Sequence, residues 1–353
     1  MREAFLAVAL SLLFVAVAQS TSLIRVPVPE LVVRSDAVVA ATIIEQSNNA
    51  DTIAISQTLF GTAPHVITIP GVYDKGIEGI FFLVRDQDQW KLVYPAALEP
   101  PTKLDHVRSL TDMRTSPRKY FTDPQLASSP DFLEMLGYLL RDKDEVDGIS
   151  REAAVDHLRA ALGSANTMAV LQAMGALRTL DCKDAKAVIP LMQHPDREVH
   201  LAAMRYVGWT RDRVAVAPLC KLLDELKGWN SPEAGEIGSA LGNIGDRSAV
   251  PALEAAIKRG VFGGATDGLT RLGNEGSFAV LLEVFTTRES LNSLDAIMDI
   301  LRRSNKPVEP WMKEPQWEPV VGLTHKQDWT NWWQQNKLDF KILKTYEEAY
   351  GPR

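Results

Sequence analysis

The acidic segment at residues 142–152 is the first candidate for chemistry, because carboxylate oxygens are the ligands that calcium prefers. A helix, an acidic loop with a glycine and a second helix form the outline of a calcium-binding EF-hand. Counted from Asp142, however, Gly148 comes seventh rather than sixth, and the closing Glu152 comes one position early. The pattern therefore favours a solvated loop whose acidic residues lie at a helix start.

A second candidate is the cluster of His194, Asp196 and His200, since imidazole and carboxylate groups are zinc ligands. Asp196 and His200 are four residues apart, which places them on one face of a helix. No further ligand is near in the sequence, so the cluster favours an ordinary helix start. We expect no metal site and no other cofactor.

The sequence contains no motif of a common catalytic site. It has no Gly-x-Ser-x-Gly turn, no phosphate-binding glycine-rich loop with lysine and no His-Glu-x-x-His. No cluster of acid, base and nucleophile is evident either. We therefore predict that the protein has no catalytic residues and is not an enzyme.

Two cysteines, Cys182 and Cys220, are the remaining reactive side chains. Cys182 falls in the turn before one predicted helix, and Cys220 falls about two turns into the next one. With about 1.5 Å of rise per residue and about 10 Å between stacked helices, their Cα atoms lie beyond the roughly 7 Å limit for a disulfide. We predict two free thiols.

The elements that must position any site come from internal repetition over residues 166–303. Gly208 precedes Val216 by eight residues, and Gly242 precedes Val250 by the same interval. Four leucines share one column of the repeat, about 28 to 34 residues apart: Leu191, Leu219, Leu253 and Leu282. One helical hairpin of this length must stack on its neighbours to bury its apolar face. The sequence predicts an α-solenoid over residues 130–304.

The repeat resembles the HEAT-like repeat of the PBS-lyase type, the short form also found in bilin lyases. The resemblance rests on an acidic start, an alanine-rich stretch ending in Leu-Gly or Val-Gly, then Gly-Asp and Ala-Val-Pro-Ala-Leu, as at residues 245–253. It implies stacked hairpins and a protein-binding surface. It does not imply lyase activity, because those lyases handle tetrapyrroles in the cytoplasm.

The second helices are the predicted binding surface, because in related solenoids they line the concave side. The positions after the anchoring leucines and their neighbours give the candidate partner-binding residues: Met192, Gln193, Cys220, Lys221, Glu254 and Glu283. A groove that changes from apolar to acidic along its length could hold an extended or helical peptide. The alternative is that each residue belongs to an ordinary solvated helix face.

The first 18 residues read as a signal peptide. A short charged start precedes an apolar run, and a small-x-small site ends at Ala18, before Gln19. The run is shorter than the about 20 apolar residues of a membrane span, so we expect cleavage and a secreted or periplasmic protein. A net charge of -7 argues against nucleic-acid binding.

Residues 30–95 contain five short β-branched or aromatic runs, which predict a small β-barrel. Their order is similar to netrin-like and OB-like barrels, on the stretches 35–39, 59–61 and 79–83. Netrin-like inhibitors rely on an amino-terminal cysteine that is missing here, so inhibition is not implied. Six prolines between Pro95 and Pro130 predict a linker over residues 96–129.

Residues 305–353 are distinct in composition, since five of the eight tryptophans lie between Trp311 and Trp333. Trp329, Trp332 and Trp333 mark one face of a short helix. This face predicts a cap on the last repeat, and the alternative is an aromatic platform for a glycan or a partner. Residues 338–353 predict a final helix that frays.

The sequence thus predicts a multidomain α and β protein: a small β-barrel, an α-solenoid and a tryptophan-rich cap. Two functions of different class follow. The first is an exported, non-catalytic scaffold that binds a protein or peptide partner. The second is a carbohydrate-binding or enzymatic accessory protein that uses the tryptophan-rich end.

Overall fold

The structure is a computed structural model that describes residues 26–47, 50–70, 73–94, 98–226, 231–288, 292–314, 317–318, 322–323 and 325–351. The chain divides into two compact units. The first comprises Met1–Ala127 with Val146–Gly148, and the second comprises Ser128–Glu145 with Ile149–Arg353. The predicted signal peptide lies outside the described residues. Within the part described, no helix is long and apolar enough to cross a membrane.

An antiparallel sheet organises the first unit. A short helix, α1 (Val28–Arg34), is followed by the strands β1 (Ala37–Gln46), β2 (Ala50–Phe60), β3 (Val66–Pro70), β4 (Glu78–Asp86), β5 (Gln89–Leu92) and β6 (Leu98–Glu99). The hydrogen-bonded order is β3-β2-β1-β4-β5, and β6 also pairs with β4. β1 is therefore the central strand. Its near-continuous apolar sequence fits this position, because Val38 and Val39 are both fully buried although they face opposite sides.

The sheet is open, so the predicted closed barrel is not confirmed. In the strands described, no ladder joins β3 to β5. A cleft of about 520 Å³ is instead lined by residues of both edge strands, among them Ile67, Ile69 and Trp90. The two edges are only five and four residues long, which limits the unpaired backbone that they expose.

The segment predicted as a linker, residues 96–129, contains helices, and its described residues up to Ala127 belong to the first unit. After a 3-10 turn it forms α2 (Leu104–Thr115) and α3 (Pro117–Thr122). Helix α2 buries Val107, Leu110 and Met113, which follow one another at intervals of three. The prediction gave weight to the prolines. Pro117, however, stands in the first turn of α3, where a missing N–H costs no hydrogen bond.

The second unit is mostly helical. Its hairpin helices are α4 (Pro130–Leu140), α5 (Arg151–Ala161), α6 (Thr167–Thr179), α7 (Ala185–Val188), α8 (Arg197–Thr210), α9 (Val216–Glu225), α10 (Pro232–Ile244), α11 (Val250–Arg259), α12 (Gly264–Leu272), α13 (Glu275–Arg288) and α14 (Asn292–Arg302). The two-residue strands β7 (Glu145–Val146) and β8 (Ile149–Ser150) lie between α4 and α5, within the acidic segment. We refer to α4, α6, α8, α10, α12 and α14 as the first helices.

The Gly-Asp signature of the repeat has a local physical cause. Gly245 ends α10 with a φ of 80°, in the left-handed region that favours glycine. Asp246 then accepts a hydrogen bond from the Ser248 amide at 2.9 Å, which starts the 3-10 turn before α11. Asp212 does the same for the Val214 amide at 3.0 Å before α9. The signature therefore fixes where one helix ends and its partner begins.

The hairpins pack through two sets of contacts. Consecutive first helices contact one another from α4 to α14, and α9, α11 and α13 form a second series. The leucine column follows the second series: Leu219 and Leu253 are fully buried and Leu282 is 4% exposed. Leu191 is only half-buried, because its segment forms the 3-10 turn Ile189–Gln193 rather than a full helix. Three of the four predicted leucines thus share one depth.

Small residues bring the first helices unusually close together. A Cβ added to Gly238 in α10 would stand 1.7 Å from the carbonyl oxygen of Gly264 in α12. A Cβ on Gly208 in α8 would stand 2.7 Å from the Cα of Ala240 in α10. These are contacts of backbone against backbone, which only glycine permits.

The carboxyl end continues with β9 (Trp317–Glu318), β10 (Gly322–Leu323), α15 (Lys326–Asn336) and α16 (Tyr346–Tyr350). Helix α15 packs on α13 of the last complete hairpin: Trp329 lies 6.0 Å from Phe285 and Trp333 lies 5.0 Å from Phe278, between ring centroids. The predicted final helix over residues 338–353 is wrong in extent, since only Tyr346–Tyr350 is helical. The reason is that residues 338–345 bond to other helices rather than to one another.

Gly238→Ala should lower the free energy of unfolding by about 3 kcal/mol, because the new methyl group has only backbone to displace. Gly235→Ala is the matched control in the same helix, since its Cβ would meet nothing within 4 Å. The control should stabilise the protein by up to about 1 kcal/mol through helix propensity. Urea unfolding of both variants checks this, and equal effects would contradict the close approach.

Candidate functional site

The predicted partner-binding residues on the earlier hairpins differ in accessibility. Met192 is only 3% exposed, so its side chain belongs to the core rather than to a surface. Gln193 beside it is exposed. On α9, Cys220 is half-buried and Lys221 is exposed, with its ammonium 4.0 Å from Glu225.

The two predicted glutamates on the later hairpins lie on different helices and have different surroundings. Glu254 on α11 accepts a hydrogen bond from the Ser277 hydroxyl at 2.8 Å. Glu283 on α13 is exposed. None of the six predicted residues lines either cavity of the cleft described below.

The two cysteines are free thiols. Burial raises the pKa of the Cys182 thiol and of the Cys220 thiol. Both groups therefore stay protonated at neutral pH, and neither is an activated nucleophile.

The cluster at His194, Asp196 and His200 starts helix α8. Asp196 accepts hydrogen bonds from the amides of Glu198 and Val199 at 3.0 and 3.1 Å, as a helix cap does. His200 Nε2 lies 3.4 Å from Glu233. In the part of the chain that the structure describes, no three histidine, cysteine or acidic side chains are placed to hold a metal ion.

A cleft crosses one end of the first helices. Two adjoining cavities, of about 350 and 380 Å³, share Arg211, Asn243 and Arg271 as lining residues. We call the whole surface the arginine cleft and define it by Arg178, Arg205, Trp209, Arg211, Asn243, Arg247 and Arg271.

The arginines reach the cleft because they stand where first helices end. Arg178 lies in the last turn of α6 and Arg271 in the last turn of α12. Arg211 follows α8 as its cap, with a φ of 57°. Cations at these positions interact favourably with the negative ends of the helix dipoles. Successive helices thus place positive charge along one line.

One half of the cleft is open. It is the cavity of about 380 Å³ lined by Arg178, Arg205, Trp209 and Arg211, and we call it the open half. Trp209 is half-buried, with the Arg178 guanidinium 5.7 Å and the Lys183 ammonium 5.8 Å from its ring centroid. Two cations therefore lie near the ring, a favourable arrangement for an aromatic side chain.

The charge of the open half is positive although the whole chain carries -7. Four arginines line this cavity against a single acidic side chain, Glu236, which lies 2.9 Å from Arg205. Arg178 is exposed and makes no ion pair with any described carboxylate. The open half can therefore attract an anion.

A returning segment of the chain fills the other half. We call residues 338–351 the C-terminal strap. The strap is held by backbone hydrogen bonds: the amides of Lys341 and Ile342 donate to the side chains of Asn305 and Glu275 at 2.9 and 3.0 Å. The Leu343 amide donates to a backbone carbonyl at the end of α14 at 2.8 Å. This anchoring replaces the predicted frayed helix.

The strap presents an aromatic ring and a carboxylate to the arginines. The ring of Tyr346 has the guanidinium groups of Arg271 and Arg303 at 5.8 Å each. Glu347 then pairs with Arg211 at 3.4 Å. Arg303 is itself buried, at 3% exposure, and donates to the Thr270 carbonyl. An acidic, aromatic chain segment is thus bound within the molecule.

The sequence carried a signal for this site that the interpretation missed. Basic or amide residues recur near the ends of successive first helices, at intervals of about 28 to 33 residues: Arg178, Arg211, Asn243, Arg271 and Arg303. The column has the period of the repeat. The predicted binding surface did not include this column, because that prediction was based on the second helices alone.

The tryptophan-rich end does not offer an aromatic platform at its centre. Trp329 is fully buried and Trp332 is 9% exposed. Trp311 packs edge-on against Trp329 at 5.1 Å, and Phe340 lies 6.3 Å from Trp332. The large rings cover the last hairpin and one another.

Comparison with known proteins identifies one repeat. The family model of the PBS lyase HEAT-like repeat matches residues 235–259, which comprise most of α10 and all of α11. No curated protein matches the chain. The mostly helical second unit is compatible with a helical repeat domain. More particularly, the match supports a HEAT-like repeat at residues 235–259.

Trp329→Ala should lower the free energy of unfolding by about 3 to 5 kcal/mol, because a fully buried indole leaves a cavity. Trp333→Ala should cost less, since Trp333 is only half-buried in the same cluster. Thermal unfolding of both variants tests the packing. A larger loss for Trp333→Ala would contradict it.

His325 makes the stability of this end depend on pH. Its imidazole lies 2.8 Å from Asp328 and 3.1 Å from Glu314, and the hydrogen bond to Asp328 is the main reason why its pKa is raised. The stabilisation is therefore fully present below the unfolded pKa of about 6.5 and is lost as pH rises through the higher folded value.

His325→Gln should accordingly destabilise the protein at pH 5.5 and change its stability little at pH 9. Urea unfolding of both proteins at the two pH values measures the difference. A loss of equal size at both would show that the charge of the imidazole contributes nothing.

Proposed function

We propose that this chain is an exported, non-catalytic scaffold that binds a protein or peptide partner along an α-solenoid of HEAT-like hairpins. The observation that carries the proposal is the arginine cleft, which crosses successive hairpins and joins two cavities. Because each hairpin contributes a similar side chain at a regular distance, such a surface suits an extended chain.

The solenoid interpretation is supported by the packing of the hairpins. First helices contact first helices, and α9, α11 and α13 contact one another in series, so each hairpin is covered mainly by its neighbours. The HEAT-like match at residues 235–259 falls on one such hairpin. A row of this kind has one continuous apolar interior and presents long surfaces on either side.

The chemistry of the cleft supports binding rather than catalysis. Neither a histidine nor a cysteine lines its two described cavities. The acidic side chains that line the two cavities are held as ion pairs, since Glu236 pairs with Arg205 and Glu347 lies 3.4 Å from Arg211. Side chains arranged in this way suit the binding of charged groups, because guanidinium groups form charge-assisted hydrogen bonds with carboxylates.

The alternative of a glycan-binding or enzymatic accessory protein has less support. A sugar-binding platform needs exposed aromatic faces, and Trp329 and Trp332 are buried against α13 and Phe340. The export part of the proposal rests on the apolar run and the cleavage site within residues 1–18.

Two measurements on the native organism test the proposal. The mass of the purified chain should correspond to a protein that begins at Gln19, and the chain should be found outside the cytoplasm. Affinity purification from that fraction should then recover a protein in stoichiometric amount. An uncleaved cytoplasmic chain, or a glycan array signal without any protein partner, would contradict the proposal.

A further inference from the structure

We propose that the open half of the arginine cleft is the partner site, and that it binds an extended acidic segment with an aromatic residue. The inference rests on the proposed function and names the chemistry of the partner. It also moves the predicted binding surface from the second helices to the ends of the first helices.

Charge is the first argument. Arg178 is exposed and makes no ion pair with a described carboxylate, and the side chain of Arg205 remains 50% exposed beside Glu236. A guanidinium has five N–H donors, so each of these groups can donate hydrogen bonds to a carboxylate of a ligand. Peptide carboxylates are the matching ligands, because guanidinium groups bind them in a planar, two-point geometry.

The strap supplies the second argument, because it shows which ligand the same surface already holds. In the filled half, Tyr346 lies between two guanidinium groups and Glu347 pairs with Arg211. Arg211 lines both cavities. A partner segment in the open half would therefore continue the line of the strap and repeat its contacts.

Trp209 supplies the third argument. Its ring is half-buried and is braced by Tyr206 at 5.5 Å in an edge-to-face arrangement. The hydroxyl of Tyr206 donates to the Cys182 carbonyl, which fixes that ring in turn. An indole held in this way can stack with a ligand side chain at little cost in conformational entropy.

The dimensions limit the ligand. The open half is lined mainly from α6, α8 and α10, and Arg271 reaches it from α12. The first three of these helices span two helix spacings, or about 16 to 20 Å. An extended peptide rises about 3.3 Å per residue, so about five or six residues fit. Nucleic acid is the alternative anionic ligand, and the test includes it as a competing probe.

The test uses the full mature chain and a fluorescein-labelled hexapeptide of alternating glutamate and tyrosine. Fluorescence anisotropy measures its binding to the native protein, to Arg178→Gln/Arg205→Gln and to Arg213→Gln. Arg213 is the matched control, because it is an arginine with an 81% exposed side chain, paired with Asp246, that does not line the cleft. Lysine-tyrosine peptide and single-stranded DNA of equal charge serve as competing probes.

The native protein should bind the acidic peptide, more weakly at 500 mM than at 50 mM salt because the ion pairs are screened. The double variant should lose about tenfold in affinity or more, whereas Arg213→Gln should lose less than twofold. Circular dichroism should show both variants folded. Absence of peptide binding, equal losses in both variants, or tighter binding of DNA would each overturn the inference.

The partner captured from the exported fraction separates this inference from the proposed function. If the partner binds the double variant as well as it binds the native chain, the scaffold function stands and the cleft is not its site. If no partner is captured by either protein, the proposed function fails, whatever the hexapeptide does.

Discussion

The close approach of the first helices is the constraint on which the second unit depends. At Gly238 and Gly264, and again at Gly208 and Ala240, backbones meet with no side chain between them. The carboxyl ends of α6, α8, α10 and α12 then bring Arg178, Arg211, Asn243 and Arg271 to the same surface. The arginine cleft is thus a by-product of tight packing, and its spacing follows from the distance between helices rather than from any loop.

The same surface shows how the chain balances charge. Aligned helix ends concentrate negative partial charge, and the arginines that follow them compensate it. In the open half, the arginines outnumber the acidic side chains that line the cavity. In the other half, Glu347 of the C-terminal strap pairs with Arg211. Buried Arg303 ties the strap to α12 and α14 together, since it donates to Thr270 and its backbone accepts from Leu343. The arginine cleft therefore has one half that the chain's own strap fills and one half that is lined by four arginines and a single acidic side chain.

The sequence predicted those features that repeat or that depend on neighbours in the chain. The Gly-Asp turns, the helix start at Asp196 and the burial of Leu219 and Leu253 are local or periodic, and they were predicted correctly. The surface position predicted for Met192 is not observed, because this residue lies in the 3-10 turn Ile189–Gln193 and is buried. The strap could not be predicted either, since Glu347 meets Arg211 across 136 residues of sequence. The prediction of a linker over residues 96–129 relied on the prolines. It gave too little weight to three apolar residues that become buried on one face of α2.

The contact between Gly238 and Gly264 has a consequence for any attempt to recombine this protein. Hairpins of repeat proteins are commonly treated as interchangeable parts, but here each half of a seam is fitted to one particular neighbour. A hairpin moved to another place in the row would bring its bare backbone against a side chain, or its side chain against a bare backbone. A segment that is duplicated or exchanged should therefore include both first helices of such a close contact, as α10 and α12 here.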